Sequence, residues 1–422
     1  MGSVTPAPTT TPAPSPASPS TARAINDRLA LQLLQESGPL TATQLKTMTG
    51  LSRPSVADLV DRLTEAGLIE VAGESGEQRR GPNAKLYGIV ADRAHLAALD
   101  VRTDRVTAVV TDLLGRPLAE AALPVGAPED AVAALLRTAR EAGAAELHTV
   151  VIGAPGLVAP ATGELRDTSG LPAWHRDLVT ALQRSLPAVV VVENETNLAA
   201  LAEQRLGVAR DLDSFVLLWL GAGVGAAVVL DGRLRRGASG GAGEIGFLPV
   251  PGTAGLPSAE DCAGGFHALV GREAVTALAR AHGFTGPAEE AVAGAAGEAF
   301  LEALAERLAL GAAAAAAILD PGCVVLAGEL GRAGGPALAA RVAHRVAKLT
   351  PVPTEIRATT LGDPAVLAGA ELAARESAQA VLFGGRGGGF GGWSGRGGGF
   401  GGRELLGRGR VVGRGLRKAG AS

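Results

Sequence analysis

The chain has 422 residues, a net charge of −3 and two cysteines, Cys262 and Cys323. That length exceeds one ordinary core and predicts two or three domains. No apolar run reaches the length of a membrane-spanning helix, and two thiols cannot build a disulfide framework, so a reducing, cytoplasmic setting is expected.

Charge is unevenly spread. Residues 23–90 carry eight basic and eight acidic side chains, residues 384–422 carry eight basic and one acidic, and the middle is therefore net acidic by ten. The two ends suit nucleic acid better than the middle does. Arg outnumbers Lys 35 to 4, which fits GC-rich coding better than a functional demand.

Residues 1–22 are rich in Pro, Thr, Ser and Ala, without the basic start and apolar core of a secretory signal. They read as a disordered leader. Residues 23–90 read as a helical unit closed by a hairpin. Ile25, Leu29, Leu31, Leu33 and Leu34 form a helical stripe over Ile25–Glu36. Gly38-Pro39 ends it, and Thr41 with Gln44 forms a capping box for a second helix that turns Leu45 and Met48 inward. Gly50 supplies a turn and Ser52 caps a third helix, with Pro54 in its first turn. Leu68–Ala72 and Leu86–Val90 can pair as a wing.

Two helices joined by a Gly turn and followed by a hairpin are the winged helix-turn-helix pattern. The second helix of the pair would enter the major groove of double-stranded operator DNA N-terminus first. Ser52, Arg53 and Ser55 sit there, Arg62 lies further along, and Arg79, Arg80 and Lys85 sit in the wing, placed for phosphates or the minor groove. A protein-binding helical module is the competing reading, supported by the unit's zero net charge and by Asp58 and Asp61.

Residues 91–383 read as α/β. Leu96–Asp100 and Val106–Asp112 are strands, Glu129–Gly143 is a helix, and Thr149–Ile152 and Val189–Val192 are buried strands. A helix follows at Leu198–Arg205, and long Ala-rich helices cover Ala288–Ile318. Between them, Leu220–Val250 packs Gly221, Gly223 and Gly225, a strand over Ala226–Leu230, an Asp231-Gly232 hairpin turn and a second glycine cluster. Without a clean sequence repeat, Val106–Asp112 and Ala226–Asp231 resemble the equivalent strands of a repeated two-lobed architecture around a cleft, and the pairing rests on that resemblance. Residues 384–422 hold GRGGGFGG twice among arginines. They read as a disordered tail, either dispensable or able to bind nucleic acid by charge and stacking.

Taken together, Gly153-Ala154-Pro155-Gly156, Leu171-Pro-Ala-Trp174, Asn194-Glu195-Thr196-Asn197, Gly221–Gly246, Asp320-Pro321, Leu361-Gly-Asp363 and Gly369-Ala370 resemble the ROK family of repressors and sugar kinases. The added winged helix resembles its repressor branch. The resemblance covers residues 23–383. It implies a two-lobed ribonuclease-H-like fold of the actin and hexokinase kind, with a sugar or sugar derivative held between the lobes. Asn194, Glu195 and Glu244, with backbone near Gly156, are the expected ligand contacts. Asn194 is equally placed to cap the following helix.

Three departures bear on activity. Glu195 stands at the family's general-base position, where an Asp is usual. Asp100-Val101-Arg102-Thr103-Asp104 replaces a glycine-rich phosphate loop, with Asp104 expected to repel phosphate. Phe247 stands where the family has a zinc-ligating His, and Cys262 alone remains of a three-Cys cluster. The expectation is a repressor of carbohydrate-metabolism genes, a homodimer or homotetramer, with no catalytic residue, metal or cofactor. The alternatives are a sugar kinase carrying a DNA-binding domain and a regulator whose cleft no longer takes sugar.

Overall fold

A computed structural model describes residues 19–74, 84–166, 172–253, 255–259, 264–362 and 364–384. The first helix, α1 (Pro19–Ser37), is followed by β1 (Leu40–Thr41), α2 (Ala42–Thr49), α3 (Arg53–Glu65), β2 (Ile69–Glu74) and β3 (Lys85–Ile89). The expected capping box is present: the Gln44 amide donates to Thr41 Oγ1 at 3.2 Å, and the Thr41 amide donates to Gln44 Oε1 at 2.8 Å. Gly50 turns the chain at φ 71°, and the Ser55 amide donates to Ser52 Oγ at 3.3 Å to start α3. Leu45, Val56, Leu59, Val60 and Leu63 are buried together with Leu31 and Leu34.

Two expectations fail in this unit. α1 begins at Pro19, inside the stretch read as leader, because Ser20, Thr21 and Ala22 continue the helix without a breaker. Met48, expected to point inward, is 45 % exposed. It follows Leu45 by three residues near the end of a two-turn helix, where Leu45 alone meets the core. Ile25 and Leu29 of the stripe are exposed too.

A single 3-10 turn at Ala91–Arg93 leads into the first lobe. Its elements are β4 (His95–Val101), β5 (Val106–Asp112), β6 (Pro117–Leu123), α4 (Pro128–Glu141), β7 (Leu147–Ala154), α5 (Trp174–Ser185), β8 (Val189–Asn194) and α6 (Glu195–Arg205). The second lobe holds β9 (Phe215–Leu220), β10 (Val224–Leu230), β11 (Arg233–Leu234), α7 (His267–Val270), α8 (Arg272–Ala281), α9 (Ala288–Glu290), α10 (Glu298–Leu319), β12 (Cys323–Ala327), α11 (Gly328–Leu349) and β13 (Glu355–Ala358). The chain then returns to the first lobe as α12 (Ala365–Leu382). The Ala-rich run is broken between α9 and α10 by Gly294 (φ 116°) and Gly297 (φ 85°), so it is not one helix.

The sheets run β6-β5-β4-β7-β8 and β11-β10-β9-β12-β13. In each, a meander of antiparallel strands is continued by two parallel ones. β5 and β10 therefore occupy equivalent places, as the family resemblance implied. The Asp231-Gly232 turn has φ 55° and 71°, the double positive φ that a two-residue hairpin of this twist requires. Alternation along β4 sends Leu96 and Ala98 to a central core shared with α6 and α12, and Ala97 and Leu99 to an outer core under α4 and α5. The central core continues into the winged unit. No helix among the described residues is long and apolar enough to cross a membrane.

Candidate ligand cleft and DNA-facing helix

The cleft is built where β8 ends. Asn194 caps α6, its Oδ1 accepting from the Thr196 amide at 2.8 Å, while its Nδ2 donates to the Gly156 carbonyl at 2.9 Å. The capping reading is met, and the same side chain ties α6 to the loop after β7. Gly156 (φ 102°) belongs to that loop, beside Leu157 and Val158.

The glycine cluster of the second lobe closes over the same loop. A Cβ on Gly240 would overlap the Val158 carbonyl, and one on Gly243 would overlap the Ala226 carbonyl. Both let backbone approach backbone, Gly240 across the lobes onto Val158 and Gly243 within its own lobe onto β10. Arg236, just before it, pairs with buried Glu193 at 2.7 Å. Glu193 Oε1 in turn accepts from Asn197 Nδ2 at 2.8 Å. Glu244 follows the cluster, exposed at the cleft mouth near Leu157 and Gly241.

Glu195, the first residue of α6, is the most perturbed group in the cleft. Burial pushes its carboxyl up to about 7, against the pull of Arg102, with Asp100 and Glu329 adding to the rise. Arg102 is the charged residue at the centre of this group. It leaves the β4–β5 turn and reaches into the space between the lobes, with Nε 2.8 Å from Asp100 Oδ1, Nη1 3.3 Å from Glu195 Oε2 and 3.9 Å from Glu329 Oε1. Its guanidinium lies 5.3 Å from the centre of the Trp219 ring, a cation–π contact. His175 supports the turn, its Nε2 lying 3.3 Å from the Arg102 carbonyl.

Asp104 is exposed. The departure from a glycine-rich loop acts through Arg102, whose long side chain fills the interlobe space itself. Gly221, from the retained glycine loop, makes room for the Glu329 carboxylate. Glu329 Oε2 also lies 3.9 Å from Arg272, which pairs with Glu289. The pocket framed by Arg102, Trp219, Gly328, Glu329 and Thr359 has a volume of about 10 Å³, room for one water. Glu329 and Arg272 carried no signal in the sequence; their partners are far away along the chain.

Phe247, at the zinc-ligand position of the family this chain resembles, offers no donor atom to a metal. Phe247 closes a 3-10 turn at Ile245–Phe247 and is 36 % exposed. Among the described residues no cluster of three or more His, Cys, Asp or Glu could hold an ion, and Cys262 lies outside them. Cys323 is buried, its thiol pushed up to about 12 by that burial.

At the other end, Ser52, Arg53 and Ser55 stand exposed together at the start of α3. The Ser52 and Ser55 hydroxyls pair at 2.8 Å. Arg62 is engaged within the unit, 2.6 Å from Asp27 Oδ1 and paired with Asp58. These contacts tie α3 to α1. Lys85 is exposed at the start of β3. Arg79 and Arg80 lie outside the described residues.

Comparison with known proteins agrees with this architecture. Residues 96–377 match the ROK family model, and residues 25–81 match the model of the MarR family. The DNA-binding transcriptional dual regulator NagC of Escherichia coli K12 is 28 % identical over 238 residues, which is 54 % of this chain and 57 % of NagC. The chain thus spans a little over half the length of the curated relatives it matches. The crystal structure described as a ROK family transcriptional regulator, homolog of the E. coli MLC protein, superposes with a TM-score of 0.69 at 21 % identity, over 86 % of this chain and 98 % of that one. It shares the fold. The ROK hexokinase from Thermus thermophilus superposes with a TM-score of 0.55 at 26 % identity, over 66 % and 97 % of the two chains.

Proposed function

The chain belongs to the ROK family, and we propose that within it the chain is a DNA-binding transcriptional repressor of carbohydrate-metabolism genes rather than a kinase. α3 reads operator DNA through Ser52, Arg53 and Ser55, with Arg79, Arg80 and Lys85 of the wing on phosphate or minor groove, and two copies of the chain bind two half-sites. A sugar or sugar derivative enters between the lobes and meets Asn194, Glu195, Glu244 and the backbone at Gly156. It controls DNA affinity to the extent that it binds the DNA-competent and DNA-released arrangements unequally.

One observation carries the choice against catalysis. A kinase must hold polyphosphate beside its base, using backbone amides that approach closely. Here Arg102, with Asp100, Glu195 and Glu329 around it, occupies that space. Three carboxylates about one guanidinium leave the site acidic, which opposes a triphosphate. Glu195 lies 3.3 Å from Arg102, a pairing that competes with its taking a proton from a hydroxyl.

The test has two arms. Purified chain should bind its own upstream DNA in a salt-sensitive manner, and binding should change with one sugar of a panel. ATP-dependent phosphorylation of any hexose, lost in Glu195→Gln, would overturn the non-kinase reading. A second reading, that the cleft no longer takes sugar, is favoured by Phe247, which sets an apolar ring where the family has a His. A thermal shift with any one sugar removes it.

A further inference from the structure

The main chain passes between the lobes twice. Residues 206–214 lead from α6 to β9, and the stretch after β13 leads back to α12. A change in the angle between two lobes is absorbed at such crossings. Glu203 and Thr359 lie 156 residues apart, yet one side chain joins the two crossings.

That side chain is Glu203, near the end of α6 and 1 % exposed. Its Oε2 accepts from the Val208 amide at 2.9 Å, in the first crossing. Its Oε1 accepts from the Thr359 hydroxyl, at the start of the second. Hydrogen bonds to a carboxylate are about twice as strong as neutral ones, and a buried acceptor that loses its donor is left unsatisfied. Thr359 is anchored in the second lobe, its amide donating to the Leu326 carbonyl of β12 at 2.9 Å. Its Oγ1 also accepts from the Leu361 amide at 3.0 Å, which shapes the crossing that follows. A Cβ on Gly207 would overlap Glu203 Oε2, so glycine at this position leaves the carboxylate its place. Arg357 of β13 adds a second tie. It donates to the Val208 carbonyl at 2.5 Å and to the two Asp211 carboxylate oxygens at 2.7 and 3.1 Å. Glu203 and Thr359 border the same small space as Arg102 and Glu329, so this joint adjoins the ion group that bridges the lobes.

We propose that Glu203 is the pin of the interlobe hinge, a positioning residue that makes the two crossings yield together and so sets how far the cleft opens. With the carboxylate in place, the first crossing cannot loosen without disturbing Thr359, nor the second without disturbing Val208. The lobes then move about one joint rather than about two independent segments. The bearing of this joint on regulation rests on the reading that a ligand enters between the lobes.

The test is hydrogen exchange of the full chain, read on peptides covering residues 206–214 and 359–362. Thr359→Val keeps the shape of the side chain and removes its hydroxyl, touching the second crossing alone. Exchange should rise by about tenfold or more in both crossings, with peptides of α10 unchanged. Thr359→Ser restores the donor and should behave as the wild type. Glu203→Gln leaves one acceptor where two are needed and should loosen both crossings. A second readout is the distance between spin labels at Glu141→Cys of α4 and Glu306→Cys of α10, both exposed, in a chain carrying Cys262→Ser. Thr359→Val and Glu203→Gln should each broaden its distribution. Faster exchange confined to 359–362 in Thr359→Val, or an unchanged distribution in either folded variant, overturns the proposal. Neither measurement uses a sugar, so a cleft that takes none and a hinge without a pin are separate outcomes.

Discussion

Arg102 Nη1 stands 3.3 Å from Glu195 Oε2 across the mouth of α6, and through Glu329 the same guanidinium spans the two lobes. One side chain therefore links the two lobes and carries the proposed choice against phosphate transfer. Arg102→Ala leaves Asp100 and Glu195 facing each other in a buried site. Loss of one partner of a buried ion cluster costs about 3 kcal/mol or more. Denaturant unfolding should show that loss, and adding Glu195→Gln should recover part of it, a non-additivity that a double-mutant cycle measures.

Wild-type chain should show no thermal shift with Mg-ATP, because Arg102 and the carboxylates around it stand in the space beside Glu195. A saturable shift at millimolar nucleotide would contradict the filled cleft.

Arg53→Ala should weaken operator binding by about 1–3 kcal/mol and relax preference at one base position if Arg53 reads a base. Lys85→Ala should weaken binding evenly across sequences and reduce the salt slope by about one. Electrophoretic titration at several salt concentrations separates the two. If both substitutions leave the isotherm unchanged, α3 is not the DNA-facing helix.

Glu371 gives a pH signature. Its folded carboxyl is pushed up to about 7 by burial, opposed by Arg375 and assisted by Glu120. The unfolded chain releases this proton near the ordinary carboxylate value, so the native state binds more protons between about pH 4.5 and 7. Stability from this group is intact below that window and is lost as pH rises through it. Glu371→Gln should therefore stabilise the chain at pH 8 by about 2 kcal/mol, discounted for partial exposure, and leave it unchanged near pH 4. Unfolding midpoints at the two pH values check this.

Gly243→Ala should disrupt the packing of the glycine cluster on β10. Its φ is 94° and an added Cβ meets the Ala226 carbonyl. Strain of this kind costs about 2 kcal/mol or more. Protease nicking within residues 235–250 should rise accordingly. An unaltered digestion pattern would show that the loop yields without cost.

Much of the fold was legible because its signals are local. Thr41 with Gln44, Ser52 with Ser55, and Asp231-Gly232 each specify their own turn within four residues, and all three are made as written. Asn194 was legible for the same reason, as a cap in register with its helix. Arg102 was visible only as a missing glycine. Its partners Glu195 and Glu329 come from elsewhere in the chain, and nothing near Arg102 announces them. Met48 misled because helical spacing predicts a face but not how wide a face the neighbours cover. Arg62 was read as a DNA contact from charge and position, while Asp27, thirty-five residues earlier, holds it inside the unit.

The return of α12 to the first lobe has a consequence for biosynthesis. Leu96, Ala98 and Val151 on the inner face of that sheet are covered by Val366, Ala370 and Ala373, which are translated more than two hundred residues later. During synthesis the winged unit can form early from local contacts, while the first sheet waits with an apolar face open until the whole second lobe has emerged. A ribosome stalled after β13 would thus display a nascent chain with a formed winged unit beside an uncovered sheet, the species on which a chaperone would act.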